Sequence, residues 1–213
     1  MRTGNTNMIN NTDIKILSIL ICTIPERKNM FSEIFTELHT QINYCKTVHP
    51  TLGDANIIVD GSKKFNDGGK NIGKKREGLV NLATAKYLCF LDDDEKISPD
   101  FVETLLRLCC EDKDVCTFRS LATLKNNWAL VDMSLNNIFN EQINPDKITY
   151  RRPWHVCPVR SEFAKKYPFE DSNYGEDWIW FDQVLKDCET ESHTDRIIHN
   201  YNHGAHSEAD KIK

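Results

Sequence analysis

Apolar and polar positions follow two rhythms along this chain. Lys15 to Cys22 is almost continuously apolar, the pattern of a strand covered on both faces. Arg27 to Asn43 then carries Phe31, Ile34, Phe35, Leu38 and Ile42 at spacings of three and four, which predicts an amphipathic helix. Asn56 to Val59 predicts a second strand ending in Asp60-Gly61, followed by a loop over 61–70 rich in Gly, Lys and Asp. Asn71 to Ala85 reads as a second helix with Ile72, Leu79, Leu82 and Ala83 inward, and Tyr87 to Leu91 as a third strand. Pro99 falls in the first turn of a third helix, with Ser98 as its N-cap and Phe101, Val102, Leu105, Leu106 and Cys109 as its apolar side. Asp114 to Phe118 follows as a fourth strand. Such alternation predicts an α/β fold: a Rossmann-like, mostly parallel central sheet flanked by helices.

The second half is less regular. Trp128 to Val131 and Tyr150 to Val159 read as strands, the latter interrupted by Pro153 and Pro158. Asp177 to Asp187 predicts a helix and Arg196 to Tyr201 a last strand. Residues 1–13, polar and without periodicity, predict a disordered leader, and 205–213 a flexible tail. With 213 residues, no repeat and no linker-like stretch, one domain over 14–204 is expected.

Composition narrows the classes. A hydrophobic fraction of 39% with 28% charged residues is that of an ordinary soluble protein. A net charge of −5 disfavours broad attraction to nucleic acid or an anionic membrane, though it leaves room for a local basic groove. No apolar run approaches the roughly 18 residues of a membrane span, and Ile14 to Cys22 lacks the small-residue pattern of a signal cleavage site. The eight cysteines show no CxxC spacing, and several lie inside apolar strands. Buried free thiols in a reducing cytosol are the reading that follows, so a cytoplasmic protein is expected.

The candidate chemistry starts at Asp92-Asp93-Asp94, directly after the third strand. In open α/β sheets ligands bind beyond the carboxyl ends of the strands. Three adjacent carboxylates repel one another, and a hard divalent ion such as Mn²⁺ or Mg²⁺ relieves that repulsion. If the segment stays extended, Asp92 and Asp94 project to one side and can share the ion. The structural alternative is a solvated turn.

Three further clusters bear on this. Gly68 to Lys75 approaches a P-loop, but Lys75 stands where a hydroxyl is needed; an anion site using a helix N-terminus with Lys70, Lys74, Lys75 or Arg76 is the better reading. Glu176-Asp177, preceded by Gly175, is either a helix's ordinary acidic first turn or a carboxylate able to deprotonate a hydroxyl. His199, His203 and His206 lie in an Asn- and Gly-rich tail, where His203 or His206 could complete the carboxylate metal site. Trp154, His155, Trp178 and Trp180 are candidates for a stacking platform, with core packing the equal alternative.

In order along the chain, these motifs resemble nucleotide-sugar-dependent glycosyltransferases of the GT-A fold, most like glycosyltransferase family 2. The first strand running into Thr23-Ile24-Pro25-Glu26-Arg27, Asp60-Gly61, the helix from Asn71, the Asp triplet as a DxD motif, and Gly175-Glu176-Asp177-Trp178 carry the likeness. It implies a nucleotide, UDP by analogy, against Thr23, Pro25, Arg27, Asp60, Asn71, Gly73, Arg76, Asp92 and Asp93. It implies a metal ion on Asp94 with Asp92, and a catalytic base at Asp177 with Glu176 second. The implied reaction moves a sugar from a UDP-sugar to a hydroxyl on a glycan, a protein or a modified DNA base. Two other classes remain: a sugar-nucleotide nucleotidyltransferase and a non-catalytic nucleotide-sugar binding module. The first usually has a glycine-rich basic loop after the first strand, where this chain has Thr23 to Arg27; the second would not need Glu176-Asp177.

Overall fold

The computed structural model describes residues 15–63, 68–124 and 127–203. The expected leader, the tail, His206 and the side chain of His203 lie outside the described residues.

β1 (Lys15–Cys22) is the buried spine, flanked in parallel by β2 (Asp54–Asp60) and β3 (Tyr87–Phe90). Its one polar interior residue, Ser18, donates to the Asn56 side chain at 2.9 Å. α1 (Lys28–Val48) runs past the expected end at Asn43 and buries Ile34, Leu38, Ile42 and Cys45. Gln41 on that face accepts from Val102 N–H at 3.0 Å and so satisfies the start of α3 (Phe101–Cys110), the work expected of Ser98. α2 (Ile72–Leu82) begins after Asn71, whose side chain accepts from Lys74 N–H at 2.9 Å.

The sheet is mixed, which corrects the mostly parallel expectation. Beyond the two-residue β4 (Lys96–Ile97) come β5 (Val115–Leu124), β6 (Asn127–Met133), β7 (Thr149–Arg151), β8 (Val159–Arg160) and β9 (Glu191–His203). The order is β2-β1-β3-β8-β5-β6-β7, with β9 parallel to β5 and β4 antiparallel to β9. β5 and β6 are joined by two residues, a connection only an antiparallel pair can use. β8 inserts antiparallel between β3 and β5, Val159 pairing with both Leu88 and Val115.

The expected strand over Tyr150 to Val159 is two short strands, β7 and β8. Prolines cannot donate to a ladder, and 152–158 leaves the sheet to pass over the end of β3, where Phe90 N–H bonds the His155 carbonyl at 2.8 Å. The chain then makes α4 (Ser161–Ala164) and α5 (Glu176–Val184). Phe90, Phe169 and Trp180 pack together beneath α5, the last two stacked at 4.4 Å, so Trp180 belongs to the core.

Candidate active site

β3 ends at Phe90, and the chain turns at once: Glu95 N–H bonds the Asp92 carbonyl at 3.2 Å, and Asp92 N–H bonds the Glu95 carboxylate at 3.0 Å. Because this segment is a turn, Asp92 and Asp94 do not share one side as an extended chain would have them. Asp93, 2% exposed, accepts from Thr23 Oγ1 at 2.6 Å and meets Arg27 Nη2 at 3.0 Å. Asp94 takes the same Arg27 nitrogen at 2.5 Å. Asp92 turns the other way, to Arg76 Nη2 at 3.2 Å. Burial pushes the Asp93 carboxyl up to about 6, although Thr23 and Arg27 oppose it.

The turn is anchored from behind. Glu95 meets His199 Nε2 at 3.0 Å, and His199 Nδ1 lies 2.7 Å from Ser120 Oγ in β5. Burial works against the Glu95 charge, but His199, with His155 and the Asp92 N–H, holds this carboxyl below its ordinary value. His199 is therefore committed to Glu95, away from the exposed edge of the triplet.

Arg76 is the hub. It comes from the buried side of α2, is 3% exposed, and lies 5.0 Å over the Phe90 ring. Besides Asp92 it reaches Glu176 Oε1 at 3.2 Å and Asp177 Oδ2 at 3.9 Å. Burial disfavours its charge, yet the three surrounding carboxylates hold its proton more tightly than usual. Gly175 sets up the last two partners: its φ of 73° lies in the left-handed region, and the chain swings there into α5 with both acids in the first turn.

Asp177 is doubly held. Its Oδ1 accepts from Trp178 N–H at 2.8 Å and its Oδ2 from His155 Nδ1 at 2.9 Å. Burial opposes ionisation, but His155 and Arg76 keep this carboxyl far below the usual carboxylate range. His155 is raised above 6.5 in return: burial and Arg76 disfavour its charge, and Asp177 with Asp92 outweighs them. Glu176 is shifted upward by burial, against the pull of Arg76. His155 Nε2 lies 4.0 Å from Asp92 and links the two acidic clusters.

The remaining candidates divide. Asp60 ends β2 beside Cys22, accepts from Ser62 N–H at 2.9 Å, and keeps a lowered carboxyl despite burial. Pro25 opens the single 3₁₀ turn Pro25–Arg27 that carries Arg27 to the triplet. Lys75 bonds the Thr23 carbonyl at 3.0 Å and also the Ser62 carbonyl, tying these loops together. Asn71 and Gly73 hold α2 against 170–173: Asn71 bonds Asp171 as well as capping, and Gly73 N–H bonds the Ser172 carbonyl at 3.1 Å. A Cβ on Gly73 would overlap the Glu170 carbonyl oxygen. Ile72 N–H bonds Asn173 at 3.2 Å, so the first N–H groups of α2 are occupied within the chain and are not open to an anion.

Away from the cleft, Asp132, His193 and Asp195 bring ligand-type atoms within 4.8 Å of one another. Arg119 already bridges this group, at 2.7 Å to Asp132 and 2.6 Å to Asp195. Among the stacking candidates, Trp178 is 55% exposed next to Asp177, and Trp154 packs against Tyr201 at 5.8 Å. His155, a stacking candidate in the sequence, is instead the partner of Asp177, a role that the sequence does not reveal. It lies in an irregular proline-flanked segment with no motif spacing to flag it.

The fold is similar to that of S. aureus TarS. A structure of TarS 1–349 matches with a TM-score of 0.60 at 13% identity, covering 88% of this chain and 60% of that one. The same protein with UDP-GlcNAc matches at 0.58 and 12%, covering 93% and 61%. With UDP it matches at 0.60 and 13%, covering 92% and 62%. This chain thus spans about three-fifths of those structures. No protein-family model matches the sequence, and no curated protein does. At this identity the likeness is one of fold: a single α/β domain with a curled mixed sheet and flanking helices.

Proposed function

We propose that residues 14–204 form a GT-A glycosyltransferase of the family 2 type, moving a sugar from a UDP-sugar to a hydroxyl acceptor. One observation carries the reading. Arg76 ties the strand-end carboxylate Asp92 to Glu176 and Asp177 of α5, so two acidic clusters face each other across one buried guanidinium. A binding module has no need of the second cluster. The fold likeness adds support, since the structures of TarS include complexes with UDP-GlcNAc and UDP.

In this reading Asp60 contacts the base, Asp92 accepts from a ribose hydroxyl, and Arg27 faces the diphosphate. Asp94 would hold Mn²⁺ or Mg²⁺, while Asp92, directed by the turn to Arg76, is left to the ribose; carboxylate oxygens at a half-open turn are the ligand type such ions take. When bound, the ion supplies Lewis-acid neutralisation of the departing diphosphate. The anomeric C–O bond breaks with its electrons going to the diphosphate oxygen, the acceptor oxygen bonds the anomeric carbon, and the acceptor proton passes to Asp177. His155 and Trp178 N–H aim this carboxylate and keep it ionised. The acceptor is a glycan, a protein hydroxyl or a hydroxylated DNA base; exposed Trp178 beside Asp177 offers a flat face for a sugar ring or base.

Among the described residues no helix is long and apolar enough to cross a membrane. A cytoplasmic setting is part of the proposal, on the absence of CxxC spacing among the eight cysteines.

The assay is incubation with UDP-GlcNAc and other UDP-sugars plus Mn²⁺. Release of UDP is expected. Release of pyrophosphate from UTP and a sugar phosphate would instead favour a nucleotidyltransferase, and absence of turnover and of UDP binding would overturn the proposal.

A further inference from the structure

Asp93 and Asp94 are neutralised by a single atom. Arg27 Nη2 lies 3.0 Å from Asp93 Oδ1 and 2.5 Å from Asp94 Oδ2. Asp93 is 2% exposed, its Oδ2 is taken by Thr23, and its buried Oδ1 has no hydrogen-bond partner. A buried carboxylate oxygen thus faces Arg27, which supplies charge but no formed hydrogen bond. Arg27 is buried at Nη2 but partly open along the rest of its side chain. It ends a three-residue turn and its side chain is 26% exposed, unlike Arg76 at 3%.

We propose that Arg27 is a built-in counter-cation that a divalent ion must displace from Asp94, so that ion and nucleotide bind cooperatively through one arginine. The inference rests on the reading of Asp94 as the ion's ligand. A guanidinium and a dication cannot share the same carboxylate oxygens, because like charges at contact distance repel. Once displaced, the planar guanidinium finds its natural partner in the diphosphate, which it can grip through two N–H groups. Without nucleotide the displaced arginine has no such partner, and it competes with the ion. The ion and the nucleotide then strengthen each other by the same factor, as linkage requires.

The test measures Mn²⁺ binding by electron paramagnetic resonance or calorimetry, with and without UDP, for the wild type, Arg27→Gln and Arg27→Lys. Wild-type protein should bind Mn²⁺ alone weakly and bind it much more tightly with UDP. Arg27→Gln should bind Mn²⁺ alone about tenfold more tightly than wild type, as expected from removing one competing charge at contact distance. It should also lose most of the gain from UDP, whereas Arg27→Lys should keep the weak Mn²⁺ binding without UDP and only part of the gain with it, since an ammonium cannot make the two-N–H grip. Equal Mn²⁺ affinity of wild type and Arg27→Gln without UDP would overturn the inference. If wild type with UDP fails to bind Mn²⁺ while Arg27→Gln alone binds it, the competition stands and the metal-dependent transfer falls. A second measurement needs no variant: the Arg27 guanidinium nitrogen resonance should shift when Mg²⁺ and UDP are added together. A resonance that stays put would contradict displacement.

Discussion

Two arginines serve the two acidic clusters, and they are built in opposite ways. Arg27 reaches Asp93 and Asp94 from a short turn with a quarter of its side chain in solvent. Arg76 comes from inside α2, lies over Phe90, and is surrounded by Asp92, Glu176 and Asp177. A buried charge removed from such a set leaves its partners uncompensated, whereas an edge charge can be replaced by water or by a ligand. The first cluster holds its cation beside solvent. The second is arranged to keep it.

The largest effect should therefore come from the buried arginine. Arg76→Ala should destabilise the protein by about 3–5 kcal/mol, read as a lowered denaturant midpoint. A loss under about 1 kcal/mol would show that Arg76 is an edge residue like Arg27. Next comes Asp177→Asn, which keeps the shape but removes the proton acceptor. Turnover should fall by roughly 10²–10⁴-fold while UDP affinity stays within a few-fold of the wild type. Wild-type turnover in this variant would refute the assignment of the base.

The third prediction concerns pH. Asp177 titrates below its ordinary 3.8 in the folded protein, so its contribution to stability is present above that value and is lost as pH falls through the folded one. His155 titrates above 6.5, so its contribution is full below 6.5 and fades as pH rises through its raised value. Stability owed to this pair is thus greatest between the two ordinary values. His155→Gln should flatten the upper limb of a stability-against-pH curve; an unchanged limb would separate His155 from Asp177. The smallest effect belongs to the edge: Arg27→Gln should change stability by about 1 kcal/mol or less, and a loss comparable to that of Arg76→Ala would erase the contrast.

The same contrast explains what could be read from the sequence. The strands and helices up to α3 announce themselves because each buries a continuous run or a periodic face; their ends shift, as with α1 running on to Val48, and Leu82 at the end of α2, expected inward, is exposed. The second half hides its topology. β8 is two residues long, and nothing local in Val159-Arg160 shows that it separates β3 from β5. In the site, the Asp triplet and Glu176-Asp177 stand out as adjacent acids, and Thr23, Arg27 and Arg76 lie in motif-like surroundings. What no spacing could show is which cation meets which acid. Asp92 goes to Arg76 and Asp94 to Arg27 because the segment turns back on Glu95, and Glu95 is held by His199 from more than 100 positions away in sequence. His155 enters the site through a tertiary contact alone.

In the proposed reaction the carboxylates at the end of β3 bind a cation together with a UDP-sugar's diphosphate. Calorimetric titration of UDP into the wild type and Asp94→Ala, with and without Mn²⁺, tests this most directly. Mn²⁺ should strengthen UDP binding to the wild type, and this gain should disappear in Asp94→Ala. Identical Mn²⁺-dependent affinity in the two proteins would contradict it.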